Sequence, residues 1–191
     1  MCIRVSYKAG TISSSKTDGP VIQIDGTGTV SGTIKLVGTA PVPTVIVAKG
    51  AAKRDATVCG ADAAIIDQSL QVGPGNGIAN VFVYIDKAPP GATIPAAPAE
   101  DVVFDQKGCV FIPHALVVRT GQTIQIKSQD AAGHNTKTNP VRSQRFDQTI
   151  PALERTGVPL FYDKHEKRPF LVACTMHTWM RAYHLALEHP W

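Results

Sequence analysis

No run in the chain approaches the roughly 20 consecutive apolar residues of a membrane-spanning helix, so no membrane span is expected. Long stretches of helical periodicity are missing too, and so is any internal repeat, which argues against a helical or repeat architecture. The start, Met1-Cys2-Ile3-Arg4-Val5, has neither the apolar segment nor the cleavage site of a secretion signal. That leaves a trimmed secreted protein or a cytosolic one. Net charge is only +4, and the basic residues are dispersed except in Asp163–Arg168. A nucleic-acid binder would show a denser basic stripe, so no nucleic-acid partner is expected and that run reads as a solvated loop. An acidic redox partner could still dock on such a face.

What is present suits a folded, strand-rich protein. The 191 residues are 43% hydrophobic and 18% charged, compatible with one extended domain or two small ones. The 16 Gly and 14 Pro are spread along the chain, as turns between short strands would be. The expected fold class is therefore all-β. Strand patterns occur at Thr29–Val37, at Asn80–Ile85 (apolar on both faces, as in the middle of a sandwich) and at Pro169–Cys174 and Arg181–Leu187. Cys109–Val118 and Gln122–Ser128 read as a hairpin about Gly121, and residues 151–157 as one helical turn. The organisation expected is a flexible leader over 1–19, an N-terminal β region over 20–100 and a C-terminal domain over 101–191. The Pro- and Ala-rich residues 88–100 mark the boundary.

One segment carries chemistry. Cys174-Thr-Met-His-Thr-Trp-Met180 sets a thiolate, an imidazole and a thioether at positions i, i+3 and i+6, between two apolar strands. A loop pinned at both ends can turn all three toward one point. Soft sulfur donors combined with imidazole select copper, and two histidines and a cysteine with a weak methionine form an electron-transfer arrangement. The second histidine is His134, in Asp130-Ala-Ala-Gly-His-Asn135, which lies 40 residues before Cys174 at a strand end. Asn135 is placed to pin that loop by hydrogen bonding. Trp179, between two candidate ligands, would pack over the loop or shield the metal from water.

Phe111-x-Pro113, Val-x₂-Gly-Gln-x-Ile, His134-Asn135 and Cys-x₂-His-x₂-Met together resemble the cupredoxin family of plastocyanin, pseudoazurin and amicyanin, over roughly residues 101–191. The resemblance implies a Greek-key β-sandwich with an N-terminal β extension or small β module. It also implies one copper ion, cycling between Cu(I) and Cu(II), on His134, Cys174, His177 and Met180. In that family the later ligand histidine, here His177, is usually the exposed edge through which electrons pass. Cys59 and Cys109 with Pro113-His114 resemble bacterial plastocyanin-like proteins associated by similarity with methylamine utilisation, in which both halves can form one extended domain. One departure concerns Met176 and Thr178, which stand where relatives often carry proline, so the stiffness of the ligand loop is in question.

Of the remaining cysteines, Cys59 and Cys109 are either a disulfide or two free buried thiols, and a disulfide would imply an oxidising compartment, periplasmic or secreted. Cys2 is left over, and Met1 and Ile3 fit a lipid-attachment site poorly. His114 reads as structural, His165 as loop surface, His184 as a solvent-facing strand residue and His189 as part of an exposed C-terminus. The function expected is single-electron transfer between redox partner proteins, without catalytic residues. A copper carrier, storage or sensing protein is the alternative. A redox enzyme would need histidines flanking the cysteine, but Cys174 sits between Ala173 and Thr175 and no His-x-His occurs.

Overall fold

A computed structural model describes residues 32–191 in full and the backbone of Cys2–Val5. Among the described residues, the first half holds four short strands: β1 (Cys2–Val5), β2 (Val45–Val47), β3 (Ile65–Ile66) and β4 (Phe82–Ile85). The second half holds β5 (Val102–Lys107), β6 (Val110–Ile112), β7 (Ala115–Arg119), β8 (Ile124–Ile126) and β9 (His134–Thr138). It continues with β10 (Asp147–Ile150), β11 (Val158–Leu160), β12 (Phe170–Ala173) and β13 (Arg181–Leu187). The second half folds as two sheets, ordered β10-β9-β12-β13-β7 and β11-β8-β5-β6. The all-β sandwich is thus the architecture adopted.

Period-2 patterning explains how the sheets face each other. Phe104 of β5 and Ile124 and Ile126 of β8 are fully buried, and they meet Phe170 and Val172 of β12 in one core. Phe104 stacks on Phe111 at 5.0 Å, and Tyr162 meets Phe170 edge-on at 5.0 Å. Each such side chain contributes on the order of 2 kcal/mol by leaving water.

Strand β13 is buried on both faces, which corrects two expectations. Ala182 and Ala186 face the sandwich core, and with them His184, which has Phe104 at 4.4 Å and donates or accepts at Tyr162 Oη over 2.9 Å. His184 is therefore not solvent-facing. Leu185 and Leu187 point the other way, into a second cluster with Phe82 and Tyr84 of β4. Strand β4 consequently lies outside the sandwich as a cover, with Val83 55% exposed, and pairs in parallel with β1. Alternation identifies two faces of a strand but not what covers each. His189, expected at an exposed terminus, is also fully buried, against Trp191 and His165.

Two local readings also change. The chain does not form a hairpin at Gly121: β7 joins the sheet of β13, while β8 joins the sheet of β5. Gly121, at φ +80°, turns the chain from one sheet to the other. Residues 151–157 form no helical turn, because Leu153 (φ 56°) and Gly157 (φ 108°) leave the helical region.

The first half packs on the same core. Val47, Ala52, Cys59 and Ile65 join the sandwich cluster, and a disulfide links Cys59 to Cys109 across 50 residues. Of the strand expected over Thr29–Val37, residues 29–31 lie outside the described ones, and Lys35 forms an isolated bridge to Gly77. Residues 6–19 of the expected leader and the Cys2 side chain also lie outside the description.

Candidate metal centre

Strand pairing alone brings the candidate ligands to one end of the sandwich. β12 runs antiparallel to β9, with Ala173 opposite Lys137, so the end of β12 lies beside the start of β9. His134 opens β9 and Cys174 follows β12. β12 and β13 are also antiparallel neighbours, so the loop between them, with His177 and Met180, closes over the same end.

That loop is held from within. Met180 N–H donates to the His177 carbonyl at 2.9 Å, and Cys174 N–H donates to the Met180 carbonyl at 3.2 Å. Cys174 Sγ accepts from the backbone N–H of His177 at 3.4 Å and of Asn135 at 3.3 Å. Asn135 clamps the second side. Its Oδ1 accepts from Thr175 N and Oγ1, and its Nδ2 donates to Asp147 Oδ1 and the Gln148 carbonyl. The loop is thus braced by hydrogen bonds at Cys174, Thr175, His177 and Met180, with no proline in it.

The donor atoms converge. His134 Nδ1 lies 3.1 Å from His177 Nδ1, and Cys174 Sγ lies 3.8 Å from His177 Nδ1. All four residues are buried: His134 and His177 at 0% exposure, Met180 at 1% and Cys174 at 3%. The outer nitrogens explain the orientation. His134 Nε2 donates to Asp130 Oδ2 at 2.9 Å, and His177 Nε2 donates to Asp55 Oδ2 at 2.9 Å. A carboxylate accepts only, so both imidazoles turn an N–H outward. In the neutral rings, two Nδ1 lone pairs then face each other beside a sulfur. Such a cluster calls for a cation at its centre.

Its electrostatics agree. Burial works against charging His134, yet the Asp130 carboxylate and Cys174 raise its imidazolium to about 9. Burial also works against the Cys174 thiolate, but hydrogen bonds from His134 and the amides of Asn135 and His177 lower it to about 6. Asp130 is held below the usual carboxylate range despite burial, by His134 and by the N–H groups of Cys109 and Gly108. His134 and Cys174 thus each favour the charged form of the other, and a metal ion would compete for the same lone pairs. The Asp130, His134 and Cys174 set has the order of a nucleophilic relay, but Cys174 is too buried to meet a substrate carbonyl.

Among the described residues, three groups bring metal-ligating atoms within 4.8 Å of one another. Two of them draw on Cys59 or Cys109, whose sulfurs are bonded to each other. Only His134, Cys174 and His177 form a group with every donor free. Met180 ends the same loop. Trp179 donates from Nε1 to the Cys109 carbonyl at 3.1 Å, with its ring 5.3 Å from that of His177. His177 itself departs from the expected exposed edge, because Asp55, Trp179 and the disulfide enclose it.

Two carboxylates that hydrogen-bond the candidate ligand histidines are not evident from the sequence. Asp130 had a weak signal, lying four residues before His134 in the same loop. Asp55 had none, since 122 residues separate it from its partner.

No protein-family model matches the chain, and no curated protein matches it. Solved structures do. A copper-containing nitrite reductase (NirK) from Thermus scotoductus SA-01 is 17% identical at a TM-score of 0.43, over 58% of this chain and 32% of that one. The chain thus spans about a third of that protein's length. A purple cupredoxin from Nitrosopumilus maritimus is 14% identical at 0.38, over 45% of this chain and 99% of that one. Amicyanin from Paracoccus versutus is 14% identical at 0.39, over 49% and 95%. Cupredoxins are thus among the structures this chain is similar to.

Proposed function

We propose that this chain is a mononuclear type 1 copper protein that carries single electrons between redox partner proteins. The observation that carries the reading is the inward convergence of His134 Nδ1, His177 Nδ1 and Cys174 Sγ, with both outer imidazole nitrogens tied to carboxylates. Copper on these donors would supply a one-electron couple, and mixed thiolate and imidazole ligation selects that metal. His134, Cys174 and His177 would hold it, with the Met180 thioether as a weaker donor.

The residues around the donors favour a site that changes little between oxidation states. Asn135 and the amide of His177 fix the sulfur, Asp130 fixes His134, and burial excludes water. The same burial favours an electron carrier over the alternative of a copper carrier, storage or sensing protein, because no donor is open for metal hand-over. It likewise favours a non-catalytic role. In this reading residues 101–191 carry the metal, and the turn from Asp55 to Cys59 in the N-terminal β region covers it. The Cys59–Cys109 disulfide favours an oxidising compartment, periplasmic or secreted. No helix among the described residues is long and apolar enough to cross a membrane.

The test is a titration of the metal-free protein with Cu(II) while bound copper and free thiol are measured. Uptake of one copper per chain with loss of Cys174 reactivity is expected. Uptake that leaves Cys174 fully reactive would contradict the reading.

A further inference from the structure

The edge of His177 is sealed by the first half of the chain. Asp55 Oδ2 accepts the Nε2–H at 2.9 Å, and the imidazole is fully buried although Asp55 itself is 38% exposed. Asp55 does not reach this point by chance of rotamer. Its carbonyl accepts the N–H of Val58 at 2.9 Å and of Cys59 at 2.8 Å, closing a tight turn. Asp55 takes φ +51° to make that turn, a conformation that Asp tolerates better than most residues. The turn ends in Cys59, which the disulfide ties to Cys109. Both disulfide sulfurs lie within 4.8 Å of a His177 ring nitrogen, and the Cys109 carbonyl accepts the Trp179 indole N–H at 3.1 Å. One hydrogen bond therefore holds the imidazole directly, and the disulfide and the Trp179 bond fix the residues around it.

We propose that Asp55 is a positioning residue of the metal centre. Its carboxylate holds the proton of His177 on Nε2, which leaves Nδ1 free for the metal, and the disulfide-tethered turn closes the ring's outer edge. This rests on the copper reading above. It adds that the outer edge of His177 is closed from solvent by a turn of the first half of the chain, together with Trp179. Carboxylates on ligand histidines fix the tautomer, and losing such a partner typically costs about 10–100-fold in metal affinity or activity.

Asp55→Ala and Asp55→Asn would be compared with wild type by two measurements. In the metal-free protein, nitrogen NMR of the His177 ring is expected to show the proton on Nε2 in wild type and a shifted tautomer balance in Asp55→Ala. In the Cu(II)-loaded protein, transfer of copper to excess EDTA is expected to be faster by about tenfold or more in Asp55→Ala. Asp55→Asn retains an acceptor oxygen and should stay close to wild type in both. An unfolding midpoint unchanged in Asp55→Ala would separate positioning from loss of fold. An unaltered His177 tautomer, or copper release equal in Asp55→Ala and wild type, would overturn the proposal. So would Asp55→Asn releasing copper as fast as Asp55→Ala. If wild type took up no copper, the copper reading would fall, while the NMR comparison would still decide the role of Asp55.

Discussion

Asp130→Asn is the substitution that most directly joins the fold to the site. The Asp130 carboxylate is 5% exposed and accepts three hydrogen bonds: Gly108 N–H on Oδ1 at 2.6 Å, and Cys109 N–H and His134 Nε2–H on Oδ2 at 2.8 and 2.9 Å. Asparagine keeps the shape but turns one oxygen into a donor. If the amide nitrogen faces Gly108, the Gly108 N–H loses its partner and the buried amide gains an unmatched donor, at a cost of about 1–3 kcal/mol. Placed at the other position, it would strand two donors. The remaining bond to His134 also loses its charge assistance, roughly halving its strength. The sum is about 3 kcal/mol, comparable with breaking a buried ion pair. For a chain of this size that corresponds to a fall in Tm of roughly 6–12 °C. Urea and thermal unfolding of the metal-free protein would measure it, with no dependence on the copper reading. A loss below about 0.5 kcal/mol, the range of ordinary surface substitutions, would refute the reasoning that Asp130 braces His134 and the Gly108–Cys109 turn together.

Other outcomes follow from the same structure. The Glu166 carboxylate is 1% exposed and accepts backbone N–H groups of Val141, Arg142 and Ser143. Glu166→Gln should therefore destabilise the fold by about 1–3 kcal/mol and raise hydrogen exchange at those three amides; unchanged exchange there would refute it. His184 is fully buried, and desolvation lowers it from 6.5 to about 3. Its folded value is depressed, so the unfolded chain takes up a proton first as pH falls below about 6.5, and stability is lost from there downward. The loss reaches about 3 kcal/mol by pH 4.5. Urea midpoints across that range, with ring NMR showing His184 neutral at the lower end, would check this. A flat profile would contradict it.

How much of this was legible in the sequence depends on the range of the interactions. The Cys174–Met180 loop and strand Arg181–Leu187 are local patterns, and both were read with their boundaries. His134 could be read because a strand end and its turn residues are also local. The covering of β13 could not, since Phe82 and Tyr84 lie about a hundred residues away and nothing in the alternation of His184 and Leu185 says which face meets them. The change of sheet at Gly121 looked like a hairpin because a tight turn between two strands has the same residue signature either way. The carboxylate on His177 depends on the turn after Asp55 and on which cysteine Cys59 meets. Pairings over such distances are properties of the fold, not of any segment.

The most direct test of the central claim is a visible absorption and electron paramagnetic resonance spectrum of the copper-loaded protein beside Cys174→Ser. The account predicts one copper per chain, an intense thiolate-to-copper band, and loss of that band in the variant. No uptake by the wild type, or a band that survives in Cys174→Ser, would contradict it.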